Sequence, residues 1–213
     1  AVFDILHLEQ EMTREKILEY AEKYKVCPFE YCLDISSWTD GIICDYNYVF
    51  DPNVRLKRYF ADGQTGEYLF LVDEAHNLVS RAREMYSAEL KKEDILTVKR
   101  LTKGKAPKLT KDLEKCNQVM LAMKRECETW QLLSDVTSLA AAAMAVFSDM
   151  ETFLEDFPDF EGRDEVLDFY FGLRDFLNVY ELLDDHYRIY AENVGVSSFK
   201  VRLFCVDPSS NLS

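Results

Sequence analysis

The sequence predicts a mostly α-helical protein, with a helical bundle attached to a small parallel α/β piece. Three observations lead there. Between Val79 and Val194, apolar residues recur at three- and four-residue spacing in successive segments, the period of helices with one buried face. Ahead of them, two short apolar runs, "DGIICDY" at 40–46 and "YLFLVDEAH" at 68–76, bracket a segment of helical character. Strand, helix, strand is the order of a parallel α/β unit. Finally, 48% of the 213 residues are apolar and 13% aromatic, enough to bury the core of one large domain or two small ones.

Taken in order, Met12–Tyr24 reads as a helix. Thr13 is placed to cap it, and Ile17, Tyr20, Ala21 and Tyr24 fall on one face. Cys27-Pro28 stops it. The segment "YVFDPNVRLKRYF" at 48–60 reads as a helix broken at Asp51-Pro52. Val79–Leu90 is expected to be helical, and "TKGKAP" at 102–107 to be a loop through Gly104 and Pro107. Leu113, Cys116, Met120, Met123, Cys127 and Trp130 then form a heptad-like seam that needs a partner helix. The following segment offers one through Val136, Leu139, Ala143, Val146, Met150 and Phe153. "PDFEGRD" at 158–164 interrupts the chain. A long last helix follows with Val166, Tyr170, Leu173, Leu177, Tyr180 and Tyr187 on one side, and "SFKVRLFCVDP" at 198–208 ends as a strand.

Composition narrows the function classes. The longest apolar run, Leu139–Phe147, has nine residues, whereas a membrane span needs ~20. The N-terminus lacks the basic-then-apolar pattern of a signal peptide, and without an initiator Met it reads as a fragment or processed chain. Six cysteines with no Cys-x-x-Cys pair argue against a zinc ribbon and for reduced thiols in the cytoplasm. The three histidines are too scattered for a metal site, and His7 and His186 read as surface or helix-end residues. A net charge of −14 argues against a generic nucleic-acid binder. The charge is uneven, however: eleven Lys or Arg against four acids between Lys91 and Arg125, and fourteen acids against three Arg between Asp149 and Glu192. The basic stretch, half of it expected as loop, is where phosphate would be met.

The chemistry-bearing stretch is "LFLVDEAHNL" at 69–78. A strand running into Asp73 and Glu74 suits nucleotide hydrolysis: one carboxylate holds Mg²⁺ and the next activates water. An ordinary acidic loop is the bland alternative. A wider context bears on the choice. "VCPFEYCLDISSWTDGIICDYNYVFDP" and, some twenty residues later, "LFLVDEAHNL" together resemble the XPD/DinG group of superfamily 2 iron–sulfur DNA helicases. The close resemblance covers about Val26 to Leu78.

That resemblance implies a layout and a set of roles. Residues 1–34 would be the end of the iron–sulfur cluster domain and 35–78 a piece of the RecA-like first motor domain with its DEAH box. Residues 79–196 would be the helical Arch-like domain and 197–213 a return strand to the motor. Asp73 would be the Mg²⁺ ligand, Glu74 the catalytic base, and His76 the link between ATP and DNA. Cys27 would be one ligand of a four-iron four-sulfur cluster; Cys32 has no family counterpart and reads as a structural thiol. Lys103, Lys105 and Lys108, with Tyr46 and Tyr48 as the alternative path, would meet single-stranded DNA.

The departures are equally plain. No Gly-x-x-x-x-Gly-Lys-Ser/Thr occurs to cradle phosphates, no further cysteines precede Cys27, and no second motor domain follows. The expectation is therefore a monomeric fragment of an ATP-dependent helicase, acting on single strands or duplex junctions in its parent. Alone it would hold no ATP, Mg²⁺ or cluster and would be inert. The alternative is a non-enzymatic helical interaction module in which the DEAH strand is vestigial.

Overall fold

The computed structural model describes residues 1–60, 66–193 and 198–212. The chain divides into two compact units, residues 1–45 and 46–213.

The first unit packs three helices: α1 (Val2–Leu8), α2 (Arg14–Tyr24) and α3 (Pro28–Ser36). The expected cap is formed: Thr13 Oγ1 accepts the Lys16 N–H at 3.4 Å. Lys25 ends α2 in the left-handed region (φ 56°), its N–H turned back to the Ala21 and Glu22 carbonyls. Pro28 opens α3 in the first turn, where a missing N–H costs nothing. The core is Ile5, Tyr20, Ala21, Tyr31 and Ile35. Both buried tyrosines find acceptors, Tyr31 at the Ala1 carbonyl (2.9 Å) and Tyr20 at Glu9 (3.1 Å).

The second unit begins with two short helices, α4 (Asn47–Phe50) and α5 (Lys57–Phe60), broken at Asp51-Pro52 as expected. A 3₁₀ turn over Ala75–Asn77 leads into α6 (Leu78–Met85). There follow β1 (Ala88–Lys91), α7 (Lys92–Thr102), α8 (Pro107–Glu126), β2 (Trp130–Leu133), α9 (Thr137–Asp156), α10 (Arg163–Glu181), β3 (Tyr187–Asn193) and β4 (Phe199–Cys205). The strands form one sheet in the order β1-β4-β3-β2, with every pairing antiparallel. The helices supply the core: Leu113, Cys116 and Met120 of α8 meet Leu139, Ala143, Val146, Met150 and Phe153 of α9, all buried. The mostly α reading therefore holds, and the α8–α9 seam is core.

Several expectations are corrected. No parallel pair forms among the described residues, and 40–46 and 66–72 are not strands. A strand is completed by its neighbours, and neither run pairs with β1–β4. Their apolar side chains face solvent, Ile43 fully, Leu69 at 88% and Leu71 at 91%.

The helix expected over Val79–Leu90 stops at Met85. Beyond it, Tyr86 is buried with its hydroxyl donating to the Phe50 and Asn211 carbonyls (2.9 and 3.2 Å), and Ser87 Oγ accepts the Cys205 N–H at 2.9 Å. These bonds draw the chain into β1. The seam ends with α8: Cys127 is still buried, but Trp130 lies on β2, 64% exposed.

On α10 the buried stripe is Val166, Phe169, Leu173, Phe176 and Val179; Tyr170, Leu177 and Tyr180 are half-buried. The helix carries apolar residues around much of its girth, so packing against α7, α9 and β1 chose the register. It ends at Glu181, and Tyr187 belongs to β3. The basic stretch is helical, α7 and α8 joined by a short turn at 103–106, rather than half loop.

Candidate active site: the Asp73–His76 turn

The Asp-Glu-Ala-His stretch sits on an exposed turn ahead of α6. Asp73 Oδ1 accepts the N–H of Glu74 at 2.9 Å. Glu74 itself is left-handed (φ 50°), an uncommon conformation for a residue with a side chain. Its carbonyl accepts the Asn77 N–H at 2.8 Å, closing the 3₁₀ turn. That geometry turns the side chain of Glu74 toward His76, whose Nε2 lies 3.3 Å from Glu74 Oε2. Both are well exposed, at 65% and 74% of their side chains. Two carboxylates and an imidazole are thus gathered within four residues, open to solvent. Hard carboxylate oxygens suit Mg²⁺, which keeps most of its water shell and needs only one or two protein ligands.

The predicted thiol ligand is placed differently. Cys27 is exposed at the N-terminal end of α3, and Cys32 is exposed one and a half turns on. Among the described residues no group of three or more His, Cys, Asp or Glu is arranged to hold a metal. A four-iron four-sulfur cluster takes four thiolates, so the described residues do not build one by themselves.

The basic candidates separate sharply. Lys103 ends α7 and makes no ion pair among the described residues. Lys105 lies over the Phe160 ring, 4.7 Å from its centroid. Lys108 instead reaches Asp149, Nζ to Oδ1 at 2.6 Å, and Asp149 is buried in the α8–α9 seam. This partner holds the Lys108 ammonium above its ordinary pKa. On the same helix Lys115 pairs with the buried Asp112 at 2.5 Å and holds that carboxyl below the usual range. Lys99 pairs with Glu114. Three lysines of the basic stretch thus pair with acids of the same unit. Asp112 and Asp149 are structural residues the sequence reading missed; the signal was there in Asp149 standing between Val146 and Met150 within the apolar seam. Tyr46 and Tyr48 lie half-buried at the start of α4.

With this geometry in hand, the comparison with known proteins is specific in its extent. Residues 4–95 match the DEAD_2 family model. The match runs from α1 into the first turn of α7, and includes Cys27, Tyr46, Tyr48 and the whole Asp73–His76 turn. Lys103, Lys105 and Lys108 lie beyond it.

Similar curated proteins include a Regulator of telomere elongation helicase 1 homolog of Caenorhabditis briggsae, 33% identical over 87 residues, and that of Drosophila ananassae, 29% over 84. These matches take in 41% and 39% of this chain and 8% of each relative. A Fanconi anemia group J protein homolog of Gallus gallus is 31% identical over 74 residues, 34% of this chain and 6% of the relative. The chain thus matches a small part of the length of these relatives, two of them named as helicases, and the resemblance to the XPD/DinG-type helicases holds. Among the described residues no helix is long and apolar enough to cross a membrane.

Proposed function

We propose that this chain is part of an ATP-dependent DNA helicase that couples ATP hydrolysis to movement along single-stranded DNA and to duplex unwinding, in the five-prime to three-prime direction. The observation that carries the reading is the Asp73–His76 turn, exposed and lying inside the DEAD_2 match. Asp73 would hold Mg²⁺, which when bound neutralises charge on the nucleotide's phosphates. Glu74 would orient the attacking water and accept its proton. His76, in contact with Glu74, would carry the state of the nucleotide site to the DNA path. Cys27 would give one thiolate to a four-iron four-sulfur cluster whose remaining ligands come from outside the described residues. Tyr46, Tyr48, Lys103 and Lys105 would line the DNA path; Lys108 would do so only by leaving Asp149.

On this reading the 213-residue chain by itself turns over no ATP, because its sequence holds no phosphate-binding loop. The test is made in the longer parent. There Glu74→Gln should lower DNA-stimulated ATP turnover by about 10²–10⁴-fold, the usual worth of a general base, while single-stranded DNA binding stays within about twofold. Equal turnover in wild type and variant would favour the second reading, a helical interaction module with a vestigial turn. That reading draws on the pairing of Lys108 with Asp149, which gives the basic stretch an internal role.

A further inference from the structure

The four-stranded sheet has one face against the helices and one face open. On β4 burial alternates without exception: Phe199, Val201, Leu203 and Cys205 are buried, while Lys200, Arg202 and Phe204 point the other way. Cross-strand partners share a face, so the register carries the open side across the sheet. Arg188 pairs with Phe204, Tyr190 with Arg202 and Glu192 with Lys200. Trp130 lies opposite Glu192 and Leu132 opposite Tyr190.

Three aromatic residues therefore share the open face, Trp130 on β2, Tyr190 on β3 and Phe204 on β4. Each is displaced by one strand and two residues from the next, a diagonal with steps of about 7–8 Å. Trp130 and Leu132 are 64% and 57% exposed on an edge strand, where a soluble domain ordinarily hides such side chains. Beside them is an open hollow of about 540 Å³, lined by Thr129, Trp130, Leu132, Tyr190, Glu192 and Asn193.

The charge on this face departs from the rest of the chain. In a protein of net charge −14, it carries Lys91, Arg188, Lys200 and Arg202 against Glu89 and Glu192, with Glu84 of α6 reaching Arg202 from the side. Three of the cations are held in position by acids, Lys91 by Glu89 at 3.1 Å. Lys200 sits between Glu89 and Glu192 at 3.3 Å from each, and Arg202 reaches Glu84 at 2.6 Å while its guanidinium lies 5.3 Å from the centre of the Phe204 ring. A row of rings flanked by fixed cations is the arrangement that stacks bases and meets phosphates without reading sequence.

We infer that the open face of the β1-β4-β3-β2 sheet is a stacking platform for single-stranded nucleic acid, with Trp130 and Tyr190 taking bases and with Lys91, Lys200 and Arg202 meeting the backbone as they exchange their solvent-accessible partners Glu89, Glu192 and Glu84 for phosphate. It is separate from the Lys103–Lys105 turn. The choice of ligand class leans on the proposed helicase reading, but the site stands on the sheet's own register and charge.

The test uses the 213-residue chain with Trp38→Phe, which leaves Trp130 as the sole tryptophan. Titration with oligodeoxythymidylate should quench Trp130 emission saturably. Raising salt from about 50 to 200 mM should weaken binding in proportion to the few phosphates engaged. Oligouridylate is the second arm: tighter binding of one oligomer than of the other assigns the platform to DNA or to RNA. Anisotropy of a labelled oligomer should report about tenfold weaker binding for Trp130→Ala and for Tyr190→Ala, with Trp130→Phe close to wild type. Trp130 is exposed enough that its loss leaves the fold intact, so an unfolded Tyr190 variant does not remove the test.

Three outcomes overturn the inference: no binding to either oligomer at low salt; binding that leaves Trp130 emission and the Trp130→Ala affinity unchanged; or self-association abolished by Trp130→Lys with no quenching by nucleic acid, which would give the face to a second copy of the chain. None of these touches the Glu74→Gln test in the parent, so the two readings fail separately.

Discussion

Two apolar runs in this chain look alike on paper and end differently. "LFLV" at 69–72 and "VRLF" at 201–204 are both short and strand-forming in composition. The second lies in β4, hydrogen-bonded to β1 on one side and β3 on the other, with Val201 and Leu203 fully buried. The first has no strand beside it among the described residues, and Leu69 and Leu71 are almost fully exposed. Composition gives a segment a preference for the extended state; neighbours that pair with its N–H and C=O groups make it a strand. Lys108 and Lys103 teach the same lesson for charge. They lie in one basic stretch, yet Lys108 compensates a buried carboxylate and Lys103 faces solvent.

The largest expected effect sets the packed module against the exposed run. Met120→Asp puts an unpaired carboxylate into the α8–α9 seam and should cost ~3–5 kcal/mol in denaturant unfolding. Leu71→Asp should change stability by less than about 0.5 kcal/mol. Similar losses for both would show that 69–72 is packed after all.

Next comes the tie between the ends of the second unit. Tyr86→Phe removes the hydroxyl shared by the Phe50 and Asn211 carbonyls and should cost about 1–2 kcal/mol. Hydrogen exchange should rise at α4 and near Asn211 while the α8–α9 seam stays protected. Uniform loosening would show that the module does not fold around its own core.

The lysines sharpen the comparison further. Lys108→Glu faces Asp149 with a second carboxylate and should lower the unfolding midpoint; Lys103→Glu should not. If Lys103→Glu is as destabilising, the difference drawn between the two is wrong. In DNA binding, reversal of Lys103 and Lys105 is therefore the cleaner experiment. For every phosphate that the variant no longer neutralises, the log–log salt slope for a single strand should flatten by ~0.7.

The smallest effect is a pH dependence at the turn into β3. Asp184 hydrogen-bonds the ring of His186 at 3.0 Å and raises its pKa above the ordinary value of 6.5. A raised folded-state pKa stabilises fully below the unfolded pKa, and that contribution is lost as pH rises through the folded one. Wild type should therefore lose a little stability above about pH 6.5. His186→Gln should show a flat midpoint over that window. A dependence that persists in the variant would point to another group.

A good deal of this protein is written locally in its chain. Thr13, Tyr20 and Ala21 fixed α2, because a cap and a helical stripe are local signals. The α8–α9 seam followed from residue spacing, since two long helices that bury each other need only their own periodicities. The Asp73–His76 stretch could be singled out because its four residues are consecutive, but the strand expected to lead into it is not formed.

The remainder was set by packing, in each case through partners distant in sequence. Ala88–Lys91 became a strand because Val201 and Leu203 stand opposite Leu90 and Ala88 more than a hundred residues away. α10 carried two apolar faces, and its neighbours chose Phe169, Phe176 and Val179 over Tyr170, Leu177 and Tyr180. Trp130 read as the last step of a helical seam and lies instead on an edge strand, because α8 ends at Glu126 and β3 takes over the pairing. That the exposed Lys108 also meets a buried carboxylate depended on Asp149, forty-one residues on, which no local pattern connects to it. Helical period and capping act over a few residues and can be read from them directly. Strand pairing and the compensation of buried charge act between segments that only the folded chain brings together.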